Sequence, residues 1–141
     1  MGIRVFNKKF RQPIYAIYGF VRFADEIVDS FHQSDKKQLL SRFRKETFLA
    51  IEEGISLNPV LQSFQGVVNQ YNIDHQHIHA FLDSMEMDIY QSEYDLNSFK
   101  KYIYGSAEVI GLMCLHVFCP LKEEYERLRP YAQSLGSAFQ K

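Results

Sequence analysis

Residues 20–29 read Phe-Val-Arg-Phe-Ala-Asp-Glu-Ile-Val-Asp, and this stretch has the period of an amphipathic helix. Its apolar side chains belong to a stripe along one side of that helix, formed by Ile17, Val21, Ala24, Val28 and Phe31. A polar stripe runs beside it at spacings of four, three and four, formed by Tyr18, Arg22, Asp25 and Asp29. A charged stripe that borders an apolar one predicts a cleft between helices rather than an open solvent-facing surface.

Asp25 and Asp29 carry the functional signal of this helix. Carboxylates four residues apart point the same way and repel each other, which destabilises an isolated helix by roughly 0.2–0.5 kcal/mol. A shared cation reverses that sign, and Mg²⁺ commonly takes one or two carboxylates together with substrate phosphates. The alternative is a solvated helix face on which Arg22 pairs with Asp25 or Glu26. The spacing alone leaves both interpretations open.

The composition is that of one globular domain over residues 1–141, with no general attraction to nucleic acid. The chain is 46% hydrophobic, and 16 Lys and Arg stand against 17 Asp and Glu, a net charge of −1. Cys114 and Cys119 lack a zinc-like spacing and predict buried thiols in a reducing compartment. The longest apolar run, 109–121, is too short to span a bilayer. We therefore expect a cytoplasmic protein that is peripheral to a membrane at most. The basic cluster of Arg4, Lys8, Lys9 and Arg11 is by default a solvated one, and the alternative is that it attracts diphosphates or an anionic membrane surface.

Helical periodicity runs along the whole chain, and no alternating strand pattern interrupts it. The predicted helices span residues 13–31, 36–53, 59–71 and 75–90, then one from a cap at 95 or 97 to 119, and one from 122. Pro13 and Pro59 suit first helical turns, Asn58 and Asp74 suit N-caps, and Gly54 suits a helix end. Pro130 is expected to bend or divide the last helix. The fold class is therefore all-α, a helical bundle.

The fourth predicted helix carries a possible second site. His75, His79 and Asp83 recur every four residues, but the three positions span about 12 Å, so only adjacent pairs could chelate one ion. A solvated first turn is the favoured interpretation. Further along the same helix, Asp88 could face the cleft that contains Asp25 and Asp29.

Small residues mark the fifth predicted helix, at Gly105, Ser106, Ala107 and Gly111. Their default explanation is a close approach between helices. The alternative is that they leave a channel for a long apolar ligand, with Glu108 inside it and in need of a partner if buried.

Three segments together resemble the squalene/phytoene synthase family of head-to-head prenyltransferases. Residues 15–29 are similar to the family's first aspartate-rich segment, in which Tyr-x-x-x-Arg precedes Asp-x-x-x-Asp. Tyr102, Ala107 and Gly111 match the Tyr and the Ala-Gly-x-x-Gly pattern of a later helix. Leu135-Gly136-x-Ala138-x-Gln140 resembles the approach to the second aspartate-rich segment. The three matches occur in the family's order and at its approximate separation.

The resemblance implies an isoprenoid-synthase fold and a transferase of isoprenoid and carotenoid biosynthesis that condenses two prenyl diphosphates with Mg²⁺ as cofactor. It implies that Asp25 and Asp29 ligate Mg²⁺ and that Arg22 contacts the diphosphate. It places Tyr18 and Tyr102 near the developing carbocation. It assigns the substrate pocket partly to the residues Ala107, Gly111 and Gln140.

Two departures from the family pattern concern Glu26, which replaces a frequent Asp, and Glu108, which stands where Gly is usual. The chain also ends before the second aspartate-rich segment, so we expect an excised part of a longer prenyltransferase that is inactive alone. Uncovered apolar faces, above all residues 109–113, predict association with a second copy.

The competing hypothesis for the function is a non-catalytic helical module that binds a partner through an apolar surface. The hypothesis of a DNA-binding domain is weaker still.

Overall fold

A computed structural model describes residues 8–30, 33–90, 96–118 and 122–140, all numbered as in the sequence. Its elements are α1 (Lys8–Ser30), α2 (Gln33–Glu53), α3 (Pro59–Tyr71), α4 (His75–Tyr90), α5 (Leu96–Ile103), a π-helical turn (Tyr104–Glu108), α6 (Val109–Phe118) and α7 (Lys122–Gln140). The described residues contain no strand, so the all-α prediction is confirmed. Phe31, Asp95 and Cys119 lie outside them.

The ends of α3 follow the sequence signals closely. The Asn58 side chain accepts hydrogen bonds from the backbone N–H groups of Val60 at 2.9 Å and Leu61 at 3.4 Å. Asn72 ends the helix in the left-handed region, with φ of 53°. Gly54 ends α2 at φ of +73°, a conformation that favours glycine. These local groups satisfy backbone atoms that the helix ends would otherwise leave unpaired.

Two predicted helix starts are wrong by several residues. The first helix begins at Lys8, which leaves Pro13 in its interior. Proline there removes one backbone hydrogen bond, but Pro13 and Ile14 are buried and α1 packs closely on α3, so packing outweighs the loss. The second helix begins at Gln33 instead of residue 36, so Asp35 lies in its first turn. A carboxylate in that turn is favoured by the helix dipole.

One phenylalanine from each of the first four helices meets at the centre of the core. The Phe20 ring, which is fully buried, lies parallel to that of Phe64 with centroids 4.0 Å apart and 5° between planes. Phe43 and Phe81 contact the same ring at centroid distances of 5.3 Å and 5.6 Å. The apolar stripe of α1 is thereby held in the core, and the polar stripe beside it stays outside the core.

The fifth predicted helix is interrupted by one turn with a different hydrogen-bonding pattern. Between α5 and α6, the N–H of Val109 donates to the carbonyl of Tyr104, five residues earlier, so the turn is π-helical. A Cβ added at Gly105 in this turn would lie 2.5 Å from the carbonyl oxygen of Ala80 and 2.7 Å from the Cβ of Ser84. The predicted close helix approach is therefore confirmed here, between the π turn and α4.

The last helix packs on α6 and on the π turn. A Cβ at Gly111 would lie 2.9 Å from the carbonyl oxygen of Ala132, so this contact also depends on a glycine. A small second core lies beneath it, made of Leu112, Leu115 and Tyr125. Pro130 does not divide α7, which is helical on both sides of it.

Candidate functional site

The polar stripe of α1 lies largely at the surface of the bundle, where the sequence analysis expected a cleft between helices. Tyr18 is 56% exposed, Arg22 and Asp29 are exposed, and Asp25 is half-buried. Behind them the apolar stripe packs into the core: Ile17, Ala24 and Val28 are buried and Val21 is partly so. The helix therefore presents its two carboxylates on one face, and its apolar face holds it against the core.

Asp25 carries the electrostatic cost of this arrangement. Burial raises the pKa of its carboxyl above the ordinary range, and repulsion from Asp29 raises it further. Asp88 and Glu26 also raise this pKa, whereas the guanidinium of Arg22 lowers it. A carboxylate under such repulsion gains from a nearby cation.

Asp88 brings a third carboxylate to the pair, from the last turn of α4. Its pKa is raised by burial and then by repulsion from Asp29, while Lys36 lowers it. The sequence analysis gave Asp88 only an optional place at the cleft, and its mutual repulsion with Asp25 and Asp29 now supports that placement. The available signal was an acidic helix end, which does not reveal which neighbouring helix it faces.

The donor set fits a cation held in part by the protein. No group of three or more His, Cys, Asp or Glu side chains within the described residues could hold a metal ion unaided. A cation at Asp25 and Asp29 would have two carboxylates from the protein and would need its other ligands from water or a bound molecule. Mg²⁺ is commonly bound in this way, by one or two carboxylates plus phosphate oxygens and water.

Arg22 pairs with Glu26 rather than with either aspartate. The guanidinium nitrogen lies 3.6 Å from the carboxylate oxygen, and both side chains are more than half exposed. An exposed pair at this distance is worth little to stability. Arg22 thus keeps a planar donor group beside the carboxylates, and guanidinium suits phosphate oxygens.

The other sequence-predicted site residues lie on α5, the π turn, α6 and α7. Tyr102 is half-buried, and its carbonyl accepts a 2.6 Å hydrogen bond from the Ser106 hydroxyl. Ala107 is buried in the π turn, and Gly111 faces Ala132 of α7. Gln140 lies in the last turn of α7, and its side chain is outside the described structure. Of these elements, α6 packs directly on α1.

The histidines at the start of α4 make contacts with α2 instead of gathering around an ion. The His79 ring stacks on Phe48 with centroids 4.2 Å apart, and His75 approaches the same ring at 6.2 Å. Asp83 pairs with Arg44 at 2.6 Å. His75 is exposed and His79 is half-buried, so the first turn of α4 is only partly solvated, whereas the sequence analysis favoured a solvated turn.

Cys114 is a half-buried free thiol, and desolvation raises its pKa to about 12. It therefore stays protonated at neutral pH, as a structural cysteine does. None of the described helices is both long and apolar enough to cross a bilayer.

Comparisons with known proteins converge on one family. The family model for squalene/phytoene synthase matches residues 1–141. Over 88 residues, the chain is 24% identical to a presqualene diphosphate synthase of Rhodopseudomonas palustris. The matched region makes up 62% of this chain and 31% of that protein. A crystal structure of a dehydrosqualene synthase in complex with ligand superposes with a TM-score of 0.81 at 22% identity, over 98% of this chain and 47% of the other. The fold is thus that of an all-α isoprenoid synthase, of which this chain spans about half the length.

Proposed function

The chain belongs to the squalene/phytoene synthase family, and from this membership we propose that it supplies one side of the active site of a prenyltransferase that condenses two prenyl diphosphates head-to-head. Homologues in this family are prenyltransferases of isoprenoid biosynthesis. Since the chain covers 31% of one relative and 47% of another, the reaction is proposed for the whole protein.

The observation that carries the proposal is the strained carboxylate pair of α1. Burial and the charges of Asp29 and Asp88 raise the pKa of Asp25, which means that its ionised form is destabilised in the folded chain. The Arg22 guanidinium offsets only part of this repulsion, and no hydrogen bond to the Asp25 carboxylate is among the contacts described. A divalent cation would offset it, and family members generally depend on one.

The proposed roles follow from position and chemistry. Asp25 and Asp29 hold Mg²⁺, and Mg²⁺ supplies neutralisation of the charge that develops on the departing diphosphate. Arg22 binds diphosphate oxygens through its fork of N–H donors. Tyr18 and Tyr102 present aromatic faces to the prenyl chain and to positive charge that develops on it. Ala107, Gly111 and Gln140 border the pocket.

We further propose that residues 1–141 bind Mg²⁺ with diphosphate weakly but form no product. Asp25 and Asp29 would hold Mg²⁺ from one side of a cleft only, and we expect turnover to need protein groups from the other side as well. Product analysis after incubation with farnesyl or geranylgeranyl diphosphate and Mg²⁺ tests this. A condensed product from the purified chain would show that the second side is not required.

The site itself is tested by calorimetric titration of inorganic diphosphate into the chain in the presence of Mg²⁺. The double variant Asp25→Asn, Asp29→Asn should weaken binding by about tenfold or more, since a combined loss of about 1.4 kcal/mol of charge attraction already changes Kd tenfold. Asp83→Asn is the matched control, because it removes the same charge from an exposed position paired with Arg44. Equal binding by the double variant and the control would refute the site.

A further inference from the structure

Three aromatic rings from three helices meet where α7 docks on the bundle. His77 comes from α4, His116 from α6 and Tyr125 from α7. The Tyr125 hydroxyl lies 2.9 Å from Nε2 of His77, and the His116 ring stacks on that of Tyr125 with centroids 4.0 Å apart. The two imidazoles are themselves 5.6 Å apart between centroids. No role in the proposed reaction involves this cluster.

The cluster accommodates neutral imidazoles and has no place for charged ones. His77 and Tyr125 are buried, and Nδ1 of His77 and Nε2 of His116 are buried without a hydrogen-bond partner in the described part of the chain. A neutral imidazole can serve the bond to Tyr125 as acceptor or donor. An imidazolium can only donate, and its second N–H then has no acceptor at all. Two imidazolium rings at this separation would also repel each other.

Charged and titratable groups face the cluster from each element that packs against it. They are Asp74 before α4, Tyr104 in the π turn, and Glu126 and Arg129 on α7. Asp74 raises the pKa of both histidines, and Glu126 raises that of His116, but burial outweighs these carboxylates. The pKa of His77 is lowered, that of His116 is lowered to about 4, and that of Tyr125 is raised to about 12. All three groups are therefore neutral at pH 7.

The position of Tyr125 gives this cluster control over α7. Tyr125 is buried, whereas Glu123, Glu126, Arg127 and Tyr131 of the same helix are exposed. The helix packs on α6 and the π turn and belongs to the small second core, not to the phenylalanine core of α1–α4. A change confined to the cluster can thus affect α7 without affecting the rest of the bundle.

We propose that His77, His116 and Tyr125 form a pH switch, in which protonation of the two imidazoles releases α7 from α4 and α6. The direction follows from linkage. A histidine whose pKa is lower in the docked state than when released favours docking fully above pH of about 6.5, and this preference is lost progressively as the pH falls toward the docked value. With a docked value of about 4, His116 alone makes docking up to about tenfold less favourable at pH 5.5 than at pH 8.

Hydrogen–deuterium exchange of the full 141-residue chain at pH 7.5 and 5.5, corrected for intrinsic exchange rates, tests the switch. We expect the protection factors of peptides from α7 to fall about tenfold at pH 5.5, while those of peptides from α1 and α3 stay unchanged. Unchanged protection in α7 would overturn the proposal. Equal loss in α7 and α1 would overturn it as well, because that result describes general acid unfolding.

Two variants and one control assign the effect to the cluster. His116→Phe keeps a ring against Tyr125 without a titratable group, and His77→Gln keeps a hydrogen-bond partner for the Tyr125 hydroxyl. Each should reduce the loss of α7 protection at pH 5.5. His79→Gln is the matched control on α4, because His79 stacks on Phe48 away from α7, and it should respond as the original chain does. If both cluster variants respond as the original chain does, the titrating groups are elsewhere and the proposal is wrong.

Discussion

The core beneath α1 and the contact that holds α7 are both buried, but they are built from different side chains. Around Phe20 the neighbours are hydrocarbon rings from three other helices, and no proton can change them. Around Tyr125 the neighbours are two imidazoles, whose charge depends on pH. The first region is therefore stable under any mild condition, whereas the stability of the second depends on the solution. In one chain, the packing around Phe20 is thus independent of pH, and the packing around Tyr125 depends on it.

The largest effect that would sharpen this comparison is the loss of the central ring. Phe20→Ala should lower the free energy of unfolding by about 3–5 kcal/mol, since it removes a fully buried ring on which three others pack. Urea denaturation followed by circular dichroism measures this change. Phe23→Ala is the control, because Phe23 is 37% exposed and should cost less than half as much. Equal costs would mean that the core is not centred on Phe20.

The next effect concerns how tightly α4 and the π turn are packed. Gly105→Ala places a methyl group 2.5 Å from the Ala80 carbonyl oxygen, so backbone must move, and we expect a loss of about 1–3 kcal/mol. Gly66→Ala adds the same methyl group on α3 with no atom within 4 Å. That control should be stabilised by about 0.5–1 kcal/mol, because alanine favours a helix more than glycine does. If thermal denaturation shows that Gly105→Ala leaves the stability unchanged, the close contact is contradicted.

A smaller effect separates the hydroxyl of Tyr125 from its ring. Tyr125→Phe keeps the stack on His116 but removes the hydrogen bond to His77, and we expect a loss of about 1 kcal/mol at pH 7.5. Chemical denaturation compares it with Tyr131→Phe, which changes a side chain that is 73% exposed. Stability that is unchanged in both variants would show that the ring alone holds α7.

The smallest effect has the opposite sign and belongs to the carboxylate pair. Burial and repulsion raise the pKa of Asp25, so its ionised form destabilises the fold at neutral pH and this cost is relieved as the pH falls through the raised value. Asp25→Asn should therefore stabilise the metal-free chain slightly at pH 7, by about 0.5 kcal/mol or less. Denaturation in the presence of EDTA measures it. A clear loss of stability would mean that the carboxylate makes a structural contact.

The sequence predicted the all-α class, most helix ends and the face of α1, because each depends on local patterns. Asn58, Gly54 and the spacing of Asp25 and Asp29 act through backbone groups or side chains a few residues away. The placement of Asp88 beside that pair, the π turn and the cluster around Tyr125 depend on contacts between distant segments. The interior position of Pro13, and the continuation of α7 through Pro130, were also unpredictable, since packing on neighbouring helices decides whether a helix continues through proline.

The π turn also affects how this chain can be compared with its relatives. A five-residue repeat of hydrogen bonds accommodates one more residue than an α-helix does over the same length, and it leaves the faces of the flanking segments nearly unrotated. A deletion of one residue between Tyr104 and Glu108 can therefore be absorbed locally, because the turn then returns to the α-helical repeat, with Tyr102 and Gly111 keeping their directions. Alignments of this helix should accordingly tolerate a one-residue gap at the turn, and they should not tolerate one in α1, where the same gap would rotate Asp25 away from Asp29.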